Sequence, residues 1–128
     1  MIDIQKQIEY WRVGAAEEFD ISVSLFEDSR LRHGLFFLHL TLEKIIKAHF
    51  CKKVNDLAPK SHNLIRLAEL AMLSISDDDK AFLGEMTRFN IEGRYPDSFS
   101  EAPSAKTLFQ IRQKGERIYK WLLEQLQN

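Results

Sequence analysis

From Ile4 onward, apolar residues return at every third or fourth position: Ile4, Ile8, Trp11, Ala15, Phe19, Val23 and Phe26. A period near 3.6 gathers them into one stripe on a helix, whereas a strand would need alternation at every second residue. Asp3 stands where an N-cap belongs, and the helix is predicted to end around Asp28 and Ser29. No stretch of the chain shows strand alternation. The pattern therefore predicts an all-α fold, an up-and-down bundle of four main helices plus one short helix.

The second predicted helix, Arg32 to about Lys53, is apolar over most of its circumference, with Leu35, Phe36, Phe37, Leu38, Leu40, Leu42, Ile45, Ile46 and Phe50. A helix of that kind is either central to a bundle or covered on a second face by another subunit. Its surplus apolar flank is the physical reason to expect a homodimer. After the loop "NDLAPKSHN", Ser61 is the expected N-cap of a short helix through Leu64, Leu67 and Leu70. Ser76 and Asp79 approximate a capping box for a fourth helix carrying Phe82, Met86 and Phe89 and ending near Gly93. Pro103 fits the first turn of the last helix, where Leu108, Ile111, Ile118, Leu122 and Leu126 form a stripe. Gly115 on that stripe allows a neighbouring helix to come close.

The size, 128 residues, suits a single helical domain spanning 1–128. With 18 Lys+Arg against 19 Asp+Glu, the chain has no global basic field, so any anion site must be local. Cys51, the only cysteine, excludes an intramolecular disulfide and a thiolate zinc cluster. The charged N-terminus and the lack of an uncharged apolar run long enough to span a bilayer lead to a cytoplasmic expectation.

Three places carry candidate chemistry. On the second helix His39 and Glu43 are one turn apart, and Glu43 also reaches Lys47 in the favourable Glu-before-Lys order. A general base with its orienting carboxylate is one reading. The favoured one is a buried imidazole donating to a carboxylate, with Lys44 and Lys47 in solvent. His39, Glu43 and His49 do not share a narrow face and no H-E-x-x-H occurs, so no metal site is expected. His62, in "KSHNL", either pins the loop before the short helix or offers a ring for stacking or proton transfer; structure is the favoured role. In "RFNIEGRYPD", Arg88, Arg94, Tyr95 and Asp97 combine guanidinium forks with an aromatic face, a way to hold a phosphate and its base. Spacing alone leaves that reading level with a plain helix stop built on Pro96.

Taken together, "GLFFLHLTLEKIIKAHF", "KSHNLIRLAEL" and "TRFNIEGRYPD" resemble the HEPN domain (higher eukaryotes and prokaryotes nucleotide-binding), from about Trp11 to Tyr119. The resemblance implies a helical bundle that usually forms homodimers and is often encoded beside a minimal nucleotidyltransferase. There it serves as partner or substrate-binding subunit, or as the toxin of a toxin–antitoxin pair. His39, Glu43, Lys44 and Lys47 match the second-helix motif, His62 the Ser-His-x-Leu, and Arg94, Tyr95 and Asp97 the Arg-Tyr-Pro-Asp. Ribonuclease members carry an arginine followed after four to six residues by a histidine late in the bundle. Here only Arg32 and His39 have that spacing, on the second helix. The resemblance thus favours a nucleotide-binding or nucleotidyltransferase-docking protein without cofactor over an enzyme. The alternative is a metal-independent RNA-cleaving toxin.

Overall fold

The computed structural model describes residues 2–94 and 103–127, the side chains of 91–94 excepted. Among the described residues there are five helices: α1 Ile4–Glu27, α2 Leu31–Val54, α3 Leu64–Leu70, α4 Asp77–Arg94 and α5 Ala105–Gln127. The all-α bundle read from periodicity is what forms. Asp3 caps α1 by accepting the Lys6 amide at 3.1 Å, and Asp28 closes it. Ser76 Oγ accepts the Asp79 amide at 3.1 Å, with Asp77, Asp78 and Asp79 in the first turn of α4, where the helix dipole favours negative charge.

Contacts between side chains give the helix directions. Ser22 Oγ donates to the Gly34 carbonyl at 2.9 Å, and Lys44 meets Glu18, so α1 and α2 are antiparallel. Leu38 packs at Gly115, His49 bonds Leu122 and Lys52 bonds Leu126, so α5 runs parallel to α2. Asp79 pairs with Arg117 and Lys114 lies over Phe82, which makes α4 antiparallel to α5. The order is up, down, up, down, with α3 as a short inset.

Two glycines set how closely the rods meet. A Cβ on Gly34 would lie 2.7 Å from the Phe26 ring, and one on Gly115 would lie 2.8 Å from Leu38 Cδ2. The close approach expected at Gly115 is therefore real, and its partner is α2.

Helix α2 is the hub. Helices α1, α3, α4 and α5 all pack on it. Leu35, Leu42, Ile45, Ile46, Ala48 and Cys51 are wholly buried there. Helices of its own chain cover most of that apolar circumference, while Phe36, Phe37 and Leu40 stay partly exposed. Large apolar side chains remain exposed elsewhere, at Tyr10, Val13 and Ile21 on α1 and Phe109 on α5.

Two caps also differ from expectation. Asn63, not Ser61, caps α3: its Oδ1 accepts the Arg66 amide at 3.1 Å, while Ser61 Oγ accepts the Asn63 amide one step earlier. Ser104 Oγ accepts the Thr107 amide at 3.2 Å, so Pro103 lies just before the cap of α5 and not in its first turn. In both places a residue with a side-chain acceptor lies within two positions of the expected one, and local spacing cannot choose between them.

Candidate functional site: a buried carboxylate that holds an exposed imidazole

Residues 39, 43 and 47 are successive i, i+4 positions and form one stripe on α2. On a helix that is apolar nearly all round, polar residues on such a stripe must be buried and must find partners within the fold. Glu43 is the centre. Lys47 Nζ donates to its Oε2 at 3.0 Å, and His62 Nδ1 meets its Oε1, also at 3.0 Å. His39 Nδ1 is 3.8 Å from Oε1, beyond hydrogen-bonding range.

Lys47 is almost fully buried, with its ammonium 5.0 Å from the centre of the Trp11 ring on α1. The sequence reading that left Lys47 in solvent is thus corrected, and Trp11, read from the sequence only as part of the apolar stripe of α1, is its aromatic neighbour. The signal lay in the spacing: a lysine one turn after a glutamate on an apolar helix is placed to neutralise it. Lys44, one position off the stripe, instead bonds Glu18 at 2.6 Å.

His39 is completely buried. Its Nε2 lies 3.0 Å from the His62 carbonyl, an acceptor only, so Nε2 carries the proton and donates. The sequence favoured a buried imidazole donating to a carboxylate; it is buried, but the acceptor is a backbone carbonyl. His62 is consequently fastened twice to α2, through its carbonyl by His39 and through its ring by Glu43. Because an ionised carboxylate only accepts, the proton on a neutral His62 ring belongs on Nδ1. The rest of the ring faces outward, for the side chain is half exposed.

The surroundings of His62 follow from how α3 packs. The Leu64 amide donates to Thr87 Oγ1 at 3.4 Å, and Ile65 lies against Gly84, so α3 runs antiparallel to α4. The chain just ahead of α3, which carries His62, therefore points toward the C-terminal turns of α4. Arg88 lies on those turns, its guanidinium 4.8 Å from the Phe89 ring centre and 3.4 Å from Glu85. Arg94 is the last residue of α4. Its side chain, together with Tyr95 and Asp97, lies outside the described residues. Among the sequence candidates, the fold thus brings together His39, Glu43, Lys47 and His62, while Arg88 is on α4 beside Glu85 and Phe89.

Two further features lie apart from this cluster. His49 donates from Nε2 to the Leu122 carbonyl at 2.7 Å, and burial pushes its pKa down. An apolar cleft of about 170 Å³, lined by Phe19, Phe26, Leu38 and Phe109 with Arg112 at its edge, opens between α1 and α5. Among the described residues no group of three His, Cys, Asp or Glu could hold a metal ion, and no helix is long and apolar enough to cross a membrane.

The chain is thus a small all-α bundle whose central helix places His39, Glu43 and Lys47 inward, one turn apart. The family profile described as HEPN domain matches residues 8–126, and the chain belongs to that family. Members often act as ribonuclease toxins or as partners of nucleotidyltransferases, and HEPN domains often dimerise. No curated protein and no solved structure matches the chain.

Proposed function

We propose that this chain is the binding and docking type of HEPN protein: a homodimer that holds a nucleotide, or docks a minimal nucleotidyltransferase, at the face formed by His62 and the C-terminal end of α4. Arg88 and Arg94 supply guanidinium groups for phosphates, Tyr95 a ring for a base, and Asp97 a polar contact to the same ligand. One observation carries the choice of binding over cleavage. His39, the histidine that has ribonuclease-like spacing from an arginine, is wholly buried and donates its Nε2 proton to a backbone carbonyl. An RNA phosphodiester cannot reach it. The accessible imidazole is that of His62, held by Glu43. Pairing of two copies falls to the apolar residues left partly or fully exposed: Phe36, Phe37 and Leu40 on α2, Tyr10, Val13 and Ile21 on α1 and Phe109 on α5.

Titration of the protein with ATP, GTP and short RNAs tests the reading by amide chemical shifts. The expected result is perturbation at His62, Arg88 and residues 94–97, weakened at least tenfold in Arg94→Ala. Unchanged spectra with every ligand would remove the nucleotide part, leaving the docking part to co-purification with a nucleotidyltransferase. RNA breakdown that survives in the wild type and vanishes in His39→Ala would overturn the reading in favour of cleavage.

A further inference from the structure

Helices α1 and α5 both pack on α2, but their backbones barely approach each other. Two contacts cross the seam between them. The rings of Phe19 and Tyr119 meet at 5.0 Å, and the Arg112 guanidinium lies 4.6 Å from the centre of the Phe26 ring. Phe19 and Phe26 are two turns apart on α1, about 10 Å along the helix. The cleft of about 170 Å³ lies along this stretch, with Val23 and Leu38 on its walls and the exposed Phe109 beside them. An apolar cavity of roughly 150 Å³ takes up benzene, whereas ordinary ligand pockets hold about 300–1,000 Å³. One ring fits here; a nucleotide does not.

The polar groups at the cleft are not satisfied alike. Glu116 borders it, but its carboxylate meets Lys120 at 3.3 Å. Ser22 Oγ gives its proton to the Gly34 carbonyl. Arg112 is half-buried, and among the described residues no carboxylate pairs with it. A guanidinium drawn to a ring by its face keeps its N–H edge for a carboxylate, which it can hold through two parallel hydrogen bonds. We infer that this cleft binds a small aromatic carboxylate, a single ring on a short acid arm. The ring lies against Phe19, Val23 and Leu38, and the acid reaches Arg112 beside Phe26. Glu116 sits one turn along α5 toward the Phe19 end, so its charge disfavours the reverse orientation. An amine in place of the acid is repelled by Arg112 and finds Glu116 already matched by Lys120. The site is separate from the nucleotide face and independent of that reading.

Titration of the full chain with phenylacetate, its neutral counterpart phenylacetamide, and acetate tests the site by amide chemical shifts. Both ring compounds are expected to shift Phe19, Val23 and Arg112, and acetate at the same concentrations is not. The acid should bind about tenfold more tightly than the amide, the worth of a charge-assisted hydrogen bond. Arg112→Met keeps an apolar stem over Phe26 and should bind acid and amide alike. Val23→Phe fills the cleft and should bind neither, with an unchanged thermal midpoint. Equal affinity for acid and amide in the wild type, shifts confined to other residues, or no binding of either ring compound overturns the inference. So does a wild-type dimer that Val23→Phe turns into a monomer in sedimentation, which assigns the cleft to a second copy of the chain. None of these outcomes alters the nucleotide titration, so the two readings fail separately.

Discussion

His39 and His49 lie on the same helix, both are buried, and both give their Nε2 proton to a backbone carbonyl, yet their surroundings differ in kind. His39 sits beside the Glu43–Lys47 pair and locks the carbonyl of His62, so it belongs to a network with charge in it. His49 joins α2 to Leu122 on α5, and the nearby charge of Lys52 adds to the burial that disfavours its protonation. One histidine is part of a device that presents a third residue; the other is a neutral bolt between two helices. Residue type and burial therefore do not tell the two apart. The sign of the nearest charge does, a carboxylate 3.8 Å from His39 and an ammonium near His49.

The strongest way to break the comparison is at Lys47. Lys47→Met leaves Glu43 ionised and buried without its main partner, and should cost about 3 kcal/mol or more in chemical denaturation. Replacing Glu43 with leucine in the same chain removes the stranded charge, and should restore at least half of that loss; no restoration would mean that the pair is not the coupled unit described here. A smaller effect sharpens the other side. Because the pKa of His49 is lowered in the fold, the unfolded chain binds more protons as pH falls below about 6.5. The stability contributed by neutral His49 is thus fully present above that pH and is lost as pH falls toward its folded value. In His49→Gln, which can still donate to the Leu122 carbonyl, melting curves between pH 7.5 and 5.5 should fall less steeply than in wild type, by no more than about 1.4 kcal/mol per pH unit. Smallest of all is Lys52→Met. Lys52 bonds the Leu126 carbonyl at 2.7 Å at the surface end of α5, and its loss should cost about 0.5 kcal/mol.

Most of the architecture could be read from the stripes, because apolar residues at helical intervals have few other ways to be buried. Ala15 and Phe26 on α1 and Ile118 and Leu122 on α5 are inward as the periodicity required. What periodicity could not provide was the identity of the covering partner. The full apolar circumference of α2 reads the same whether α3, α4 and α5 close over it or a second subunit does. Lys47 was misplaced for a related reason: single-residue expectation puts lysine in water, and its burial depends on the pairing with Glu43 together with the ring of Trp11, thirty-six positions away in sequence. The pairing of Glu43 with His62 crosses nineteen positions and depends on how the loop ahead of α3 returns to α2. The motif fragments marked the right residues, and only the tertiary fold joined them.

Since every other helix leans on α2, cooperativity in this protein should radiate from a single rod. Amides of α2 between Leu42 and Cys51, walled in by four neighbours, would be the last to exchange with deuterium, whereas α1 and α5 could each loosen from the hub on their own timescale. A partner that grips α1 or α5 would then slow exchange locally, without stiffening the strut that carries His62.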